Sequence, residues 1–140
     1  MKLIDINVWL AASWARHAHH ATVRRWVDAV DDDLGFCRVT EMALLRLLTN
    51  PAVTGTDVQT RRGAWDILDR LQRDPRVQTW LEPVGLRQLW MAFSKRDDRS
   101  HLLWTDDYLA AFALAADAEL ITLDRAIPVR YPSVRTELIA

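Results

Sequence analysis

The sequence predicts an α/β fold with a central, mostly parallel sheet and helices on both of its faces. Two observations predict it. Short apolar, strand-like runs alternate with longer segments whose apolar residues recur at helical spacing. No repeat, linker or low-complexity tract interrupts the 140 residues, so the whole chain, 1–140, reads as one domain. With 50% hydrophobic and 26% charged residues, a chain of this length can build a single core.

The elements follow in order. Met1–Ile6 is a short buried strand. His17–Val30 is a helix, because Val23, Trp26, Val27 and Val30 fall on an i, i+3, i+4, i+7 stripe. Asp31, Asp32 and Asp33 end it. Gly35–Val39 is the second strand, and Thr40 is the expected N-cap of a helix over Glu41–Leu48, which Asn50-Pro51 stops. Thr56–Asp74 is a further amphipathic helix, capped by Thr56 or Asp57, with Trp65, Leu68 and Leu71 on one face and Pro75 at its end. Val77–Leu81 is the third strand. Leu86–Lys95 is helical and runs into a charged loop, Lys95–Arg99. An Ala-rich helix covers Asp106–Asp117 after Thr105, Glu119–Leu123 is a strand, and Val134–Ile139 is the last one.

Composition excludes several classes. The net charge of 18 − 19 = −1 gives no overall pull toward nucleic acid or an anionic membrane. Within that balance 15 of the 19 acids are Asp and 16 of the 18 bases are Arg, the side chain suited to bidentate phosphate contact. A GC-rich genome would give the same bias. The longest uncharged apolar stretch, Ile6 to Ala15, falls far short of the roughly 20 residues a membrane span needs, and Asp5 breaks any signal-peptide core. The single cysteine, Cys37, can form neither an internal disulfide nor a thiolate cage, so a reducing, cytoplasmic setting is expected.

In an open parallel sheet, ligands sit outside the carboxyl ends of the strands. Asp5 lies near the end of the first strand, Glu41 opens the helix after the second, Asp106 stands in the first turn of the Ala-rich helix, and Asp124 follows Ile121-Thr122-Leu123. Four carboxylates drawn to one edge repel each other, and their pKa values rise unless a cation is present. Such hard oxygen donors suit Mg²⁺ or Mn²⁺, which in turn bind phosphate oxygens and activate water. Phosphodiester hydrolysis is the chemistry that follows. Each acid also has a structural explanation: Glu41 and Asp106 favour a helix macrodipole, and Asp124 forms turns. Asp5 is the hardest to explain that way, because a carboxylate in an apolar strand is costly to bury without a partner.

These segments resemble a PIN-domain ribonuclease of the VapC toxin type. The residues that carry the likeness are Leu3-Ile4-Asp5-Ile6-Asn7-Val8, Thr40-Glu41-Met42 with Arg46 to Pro51, Thr105-Asp106-Asp107-Tyr108-Leu109-Ala110-Ala111, and Ile121-Thr122-Leu123-Asp124-Arg125. The resemblance implies a three-layer α/β/α sandwich and metal-dependent endoribonuclease activity. By position it makes Asp5, Glu41, Asp106 and Asp124 the acidic quartet, with Asp5 and Asp106 on the metal and Asn7 and Thr122 in support. It also implies a homodimer and a small antitoxin that blocks the site. In two places the chain departs from the pattern. Asp107 replaces a small residue and is expected to point away from Asp106. Ala126 stands where many relatives carry a further acid.

Two other functional classes stay open: an acidic-pocket phosphotransfer domain, and a PIN-like binding module without chemistry. The first needs a Lys beside the pocket, and the only lysines are Lys2 and Lys95. Arg24, Arg25, Lys95 and Arg96 are candidate RNA contacts, with solvated helix faces as the plainer explanation. Seven Trp could stack bases, although Trp26 and Trp65 lie on apolar stripes and are expected in the core. His17, His19 and His20 read as a solvated helix start rather than a metal site, His101 is too isolated to assign, and Cys37 packs as a small hydrophobe.

Overall fold

Leu3 and Ile4 point to opposite faces of one sheet and both are buried, so both faces must be covered. The structure, a computed structural model, describes residues 1–140. Its five strands are β1 (Lys2–Ile4), β2 (Leu34–Phe36), β3 (Val77–Thr79), β4 (Glu119–Thr122) and β5 (Thr136–Leu138). They lie in the order β3-β2-β1-β4-β5, and every pair is parallel.

The helices are α1 (Ile6–Ser13), α2 (His20–Ala29), α3 (Arg38–Leu48), α4 (Pro51–Thr54), α5 (Arg61–Gln72), α6 (Leu86–Ser94), α7 (Trp104–Ala115) and α8 (Ala126–Arg130). Ile4, Phe36 and Ile121 meet Trp9, Val23, Leu44 and Leu68 from α1, α2, α3 and α5 in one core. Leu3 and Leu120, one residue away on their strands, meet Leu86, Leu109, Phe112, Ile127 and Tyr131 in the other. The result is the expected three-layer sandwich. No helix is long and apolar enough to cross a membrane.

Several element boundaries differ from expectation. Helix α1 has no counterpart in the sequence reading because Val8 through Ala12 are all buried. A helix enclosed on most sides shows no amphipathic stripe. Helix α3 begins at Arg38, with Cys37 rather than Thr40 as its N-cap. Thr40 instead lies inside the first turn, where its hydroxyl accepts the Cys37 N–H at 2.9 Å and donates to the Cys37 carbonyl at 2.9 Å. That early start also ends β2 at Phe36 rather than Val39. The segment expected as one helix over Thr56–Asp74 is a 3-10 turn, Gly55–Asp57, followed by α5. The Thr60 hydroxyl caps α5 by accepting the Gly63 N–H at 3.0 Å. The short helices α4 and α8 were not anticipated, and all five strands are shorter than expected.

Cys37 is buried in the second core, as a small hydrophobe should be. Trp26 is partly buried, and its indole N–H donates to Glu137 at 2.6 Å. Trp65 departs from expectation: it is 51% exposed, because Ala64 and Leu68 take the inward face of α5.

Gly35 in β2 makes room for Trp80. A Cβ at Gly35 would stand 2.4 Å from the Trp80 ring. Gly35→Ala is therefore expected to cost about 1–3 kcal/mol through overpacking. Urea unfolding measures it, and an unchanged midpoint would show that the ring is not seated against that strand.

Candidate active site at the carboxyl edge of the sheet

From β1 the chain builds β2 and β3 on one side, then lays β4 on the other side of β1. The direction of building reverses between β1 and β4, and in parallel sheets the carboxyl ends of the strands at such a switch point are where ligands bind. Asp5 and Asp124 occupy that point. The Asp5 N–H continues the ladder to the Ile121 carbonyl at 2.9 Å, while its side chain caps α1 by accepting the Ile6 N–H at 2.7 Å. The other carboxylate oxygen accepts the Thr122 hydroxyl at 2.7 Å, and the Thr122 oxygen accepts the Asp124 N–H at 3.0 Å. Asp124 accepts the Ala126 N–H at 2.8 Å, which makes Ala126 part of a turn that starts α8.

Asp106 enters from the first turn of α7, and Arg130 at the end of α8 reaches its Oδ2 at 3.3 Å. Burial raises the Asp106 carboxyl to about 6, and repulsion from Asp5 and Asp124 adds to the effect while Arg130 opposes it. Burial also raises Asp5, helped by Asp124 and opposed by the Thr122 and Ile6 hydrogen bonds. These mutual effects place Asp5, Asp106 and Asp124 in one electrostatic neighbourhood.

Glu41 lies on the same edge, further toward β3. It is 5% exposed and is held by the Thr79 hydroxyl at 2.5 Å, Gln72 Nε2 at 2.9 Å and Arg38 Nη1 at 2.7 Å. Thr79 ends β3 and Gln72 ends α5, so two elements the sequence reading left out of the site orient this carboxylate. Arg38, one helical turn before Glu41, was the one partner that sequence spacing could have revealed. Asn7 is exposed in the first turn of α1, within two residues of Asp5.

Asp107 does turn away from Asp106, as expected. It is buried, and the Tyr131 hydroxyl donates to it. Arg24 stands at the opposite edge of the sheet, lining a cavity with Leu34 and Val77, the first residues of β2 and β3. Arg25 is exposed on the same helix, whereas Lys95 and Arg96 follow α6, and Arg96 lines a cavity together with Asp107 and Arg130. His17 lies between α1 and α2, His19 is the N-cap of α2 and His20 is its first residue. Burial and the neighbouring His19 and His20 lower the His17 pKa, and His20 Nδ1 contacts the Ala11 carbonyl at 2.6 Å.

The donor chemistry fits a hard divalent cation. The charged side chains at the switch point are the carboxylates of Asp5, Asp106 and Asp124 and one guanidinium, Arg130, which opposes Asp106. No three His, Cys, Asp or Glu side chains anywhere in the chain converge closely enough to enclose an ion by themselves. The site is therefore open, and an ion there would keep positions for water and phosphate oxygens, as Mg²⁺ usually does. The raised Asp106 value has a definite sign in folding. A free Asp titrates near about 3.9, so this group's contribution is complete below that value and is lost as pH rises through about 6. A cation bound to the carboxylate cancels the loss. Mn²⁺ is expected to raise the thermal midpoint by several degrees at pH 7 and by little at pH 5. Equal shifts at the two pH values would remove Asp106 from the cation site.

A parallel sheet in this order with acids at its carboxyl edge leads to one family, the PIN domain. The chain belongs to that family, whose pattern matches residues 2–131. It is 40% identical to Ribonuclease VapC41 of Mycobacterium tuberculosis, across 100% of this chain and 99% of the relative. It is 30% identical to Ribonuclease VapC29 of the same organism, across 87% and 84%. Among solved structures it is similar to Mycobacterium tuberculosis VapC20, described as a Sarcin-Ricin loop cleaving toxin (TM-score 0.70, 16% identity, 92% and 94% coverage). It is also similar to VapBC2 from Rickettsia felis bound to a promoter DNA fragment (TM-score 0.71, 12% identity, 99% and 98% coverage). At those identities the two structures bear on the fold.

Proposed function

We propose that this chain is the ribonuclease toxin of a toxin–antitoxin pair, hydrolysing RNA phosphodiester bonds with Mg²⁺ or Mn²⁺ held by Asp5 and Asp106. The observation that carries this reading is the placement of Asp5, Asp106 and Asp124 at the switch point, where Asp124 repels both Asp5 and Asp106 and Arg130 pairs with Asp106. Full-length identity of 40% to a named ribonuclease supports the activity. An antitoxin partner is supported by neighbours solved as toxin–antitoxin assemblies, VapBC2 and the VapBC-1 of nontypeable Haemophilus influenzae. When bound, the cation supplies Lewis-acid stabilisation of phosphoryl charge and an acidified water.

The chain's own residues orient that chemistry. Thr122 and the Ile6 N–H fix both Asp5 oxygens, and Thr122 ties Asp5 to the Asp124 turn. Asp124 adds negative charge beside Asp5. Glu41, held by Thr79 and Gln72, extends the acidic edge by one strand. Asn7 supplies an amide at the mouth. Lys95 and Arg96 lie on the side where RNA would approach, whereas Arg24 lies at the far edge and leaves the proposed contact set together with its neighbour Arg25.

Exposed Met42 and Trp65 flank a shallow cavity of about 280 Å³ that Leu45 and Arg46 also line. We assign that face to a homodimer. The buried free thiol of Cys37 accords with a cytoplasmic setting.

The phosphotransfer alternative loses its lysine. Lys2 is tied to Glu119 at 2.5 Å and Glu137 at 3.0 Å at the amino edge of the sheet, and Lys95 is exposed beyond α6. The test is cleavage of total RNA by the purified chain with Mn²⁺, with and without a chelator. The expected result is cleavage that the chelator stops. Full activity in excess chelator overturns the proposal, and the absence of divalent binding by calorimetry at millimolar ion favours a binding module.

A further inference from the structure

A cavity of about 520 Å³ lies under the loop between α6 and α7, adjoining the acidic site. Its size falls within the range of about 300–1,000 Å³ typical of small-ligand sites. Arg96, Arg99, His101, Trp104 and Arg130 line it, with Asp98 and Asp107 as its acids. Asp107 is taken by the Tyr131 hydroxyl, and Asp98 accepts the Ser100 N–H at 3.0 Å within the loop. Arg96 uses one N–H on the Phe93 carbonyl at 3.0 Å, and Arg99 is exposed. Neither arginine enters an ion pair. The cavity therefore presents uncommitted guanidinium groups, and Arg130 faces both it and Asp106.

Trp104 is 54% exposed at the start of α7. Trp90 braces it: the Trp90 N–H donates to the Trp104 carbonyl at 3.2 Å, and the rings meet edge to face at 6.4 Å. Trp90 is itself packed edge-on against Tyr108. An indole held this firmly at the mouth of a cationic cavity is a platform for a planar ring, and every nucleobase has one. Unpaired nucleotides, whose bases can be splayed out of a stack, are what such a platform can take.

We propose that this cavity is a subsite for one unpaired nucleotide of the RNA strand, with Trp104 stacking its base and Arg96 and Arg99 holding a flanking phosphate. The assignment rests on the ribonuclease reading and adds to it a determinant of which RNA position is cut. Trp104 and Arg99 are specificity residues in this account and take no part in the chemistry at Asp5.

The test measures binding and cutting separately. Binding of labelled single-stranded RNA decamers is followed by anisotropy in an Asp5→Asn background, and cut positions are mapped with Asp5 intact. Trp104→Ala is expected to weaken binding by about 5- to 150-fold and to blur the choice of cut position, while Trp104→Phe keeps both near wild type. Arg99→Ala is expected to lower the slope of log affinity against log salt by about 1. Circular dichroism confirms folding, and Arg99→Ala, on an exposed loop, tests the subsite independently of the indole. If Trp104→Ala binds within twofold of wild type and cuts the same positions, the subsite is overturned and the ribonuclease reading stands. That outcome would leave the cavity to a protein partner. If the chain binds RNA through Trp104 but cuts none with Mn²⁺, the subsite stands and the ribonuclease reading falls.

Discussion

Asp5→Asn is expected to abolish RNA cleavage and leave the fold intact. Asn has the shape of Asp and keeps a carbonyl oxygen for the Ile6 N–H now accepted at 2.7 Å. Its amide can donate to the Thr122 oxygen, reversing the 2.7 Å bond that Thr122 donates to Asp5 in the native chain. The substitution also removes a buried charge whose pKa burial has raised, so folding at neutral pH is unharmed or improved. The chemistry loses a hard ligand and the negative charge that draws the cation in. Cation stabilisation of phosphoryl charge is worth several kcal/mol. At about 1.36 kcal/mol per tenfold, cleavage should fall about a thousandfold or more. Asp106→Asn should do the same from a more exposed position, where Arg130 at 3.3 Å can still hydrogen-bond to the amide oxygen. The assay is turnover of one defined RNA at fixed Mn²⁺, paired with a thermal melt. Wild-type turnover in a folded Asp5→Asn chain would remove that carboxylate from the chemistry, and with it the proposed mechanism.

Asp5 was legible because a carboxylate at the end of an apolar strand is costly to bury without a partner, whereas Asp124 was legible only by its place after a strand, since the turn it forms with Ala126 explains it as well. Asp106 was legible as a first-turn acid, but its neighbourhood with Asp5 depends on how α7 packs on the sheet, which no local pattern reports. The layered fold followed from alternation alone, since that alternation reflects burial on two faces. What stayed hidden was tertiary. Gln72 and Thr79 reach Glu41 from 31 and 38 positions away, and nothing in either segment marks them as its partners. Arg130 belongs to a short helix whose Ala-Ile-Pro-Val-Arg sequence carries no helical stripe. Helix α1 failed for the opposite reason: with apolar residues on nearly every side, its period is invisible. Thr40 illustrates a smaller ambiguity. A hydroxyl can serve a helix start from the cap or from the third position, and sequence alone does not choose between them.

Tyr131→Phe is expected to destabilise the fold by about 3 kcal/mol at neutral pH, by leaving a buried carboxylate without a donor. Tyr131 is 1% exposed and Asp107 is 7% exposed, so water cannot replace the lost hydroxyl without opening the packing between α7 and α8. Burial and the bond to Asp107 both push the Tyr131 hydroxyl pKa upward, which keeps it protonated and donating across the working range. In the variant, Asp107 keeps its burial but loses its hydrogen bond. Asp107→Ala with Tyr131→Phe removes both partners and should recover most of the loss, because no orphaned charge remains. Urea unfolding of the four members of this cycle gives the coupling. A coupling near zero would mean that the hydroxyl and the carboxylate do not depend on each other. The tie also bears on the site, since Tyr131 follows Arg130 and Asp107 follows Asp106 in the chain. If the bond holds α8 against α7, loosening it should weaken the Arg130–Asp106 contact and change how RNA seats beside the carboxylates, even where the variant remains folded.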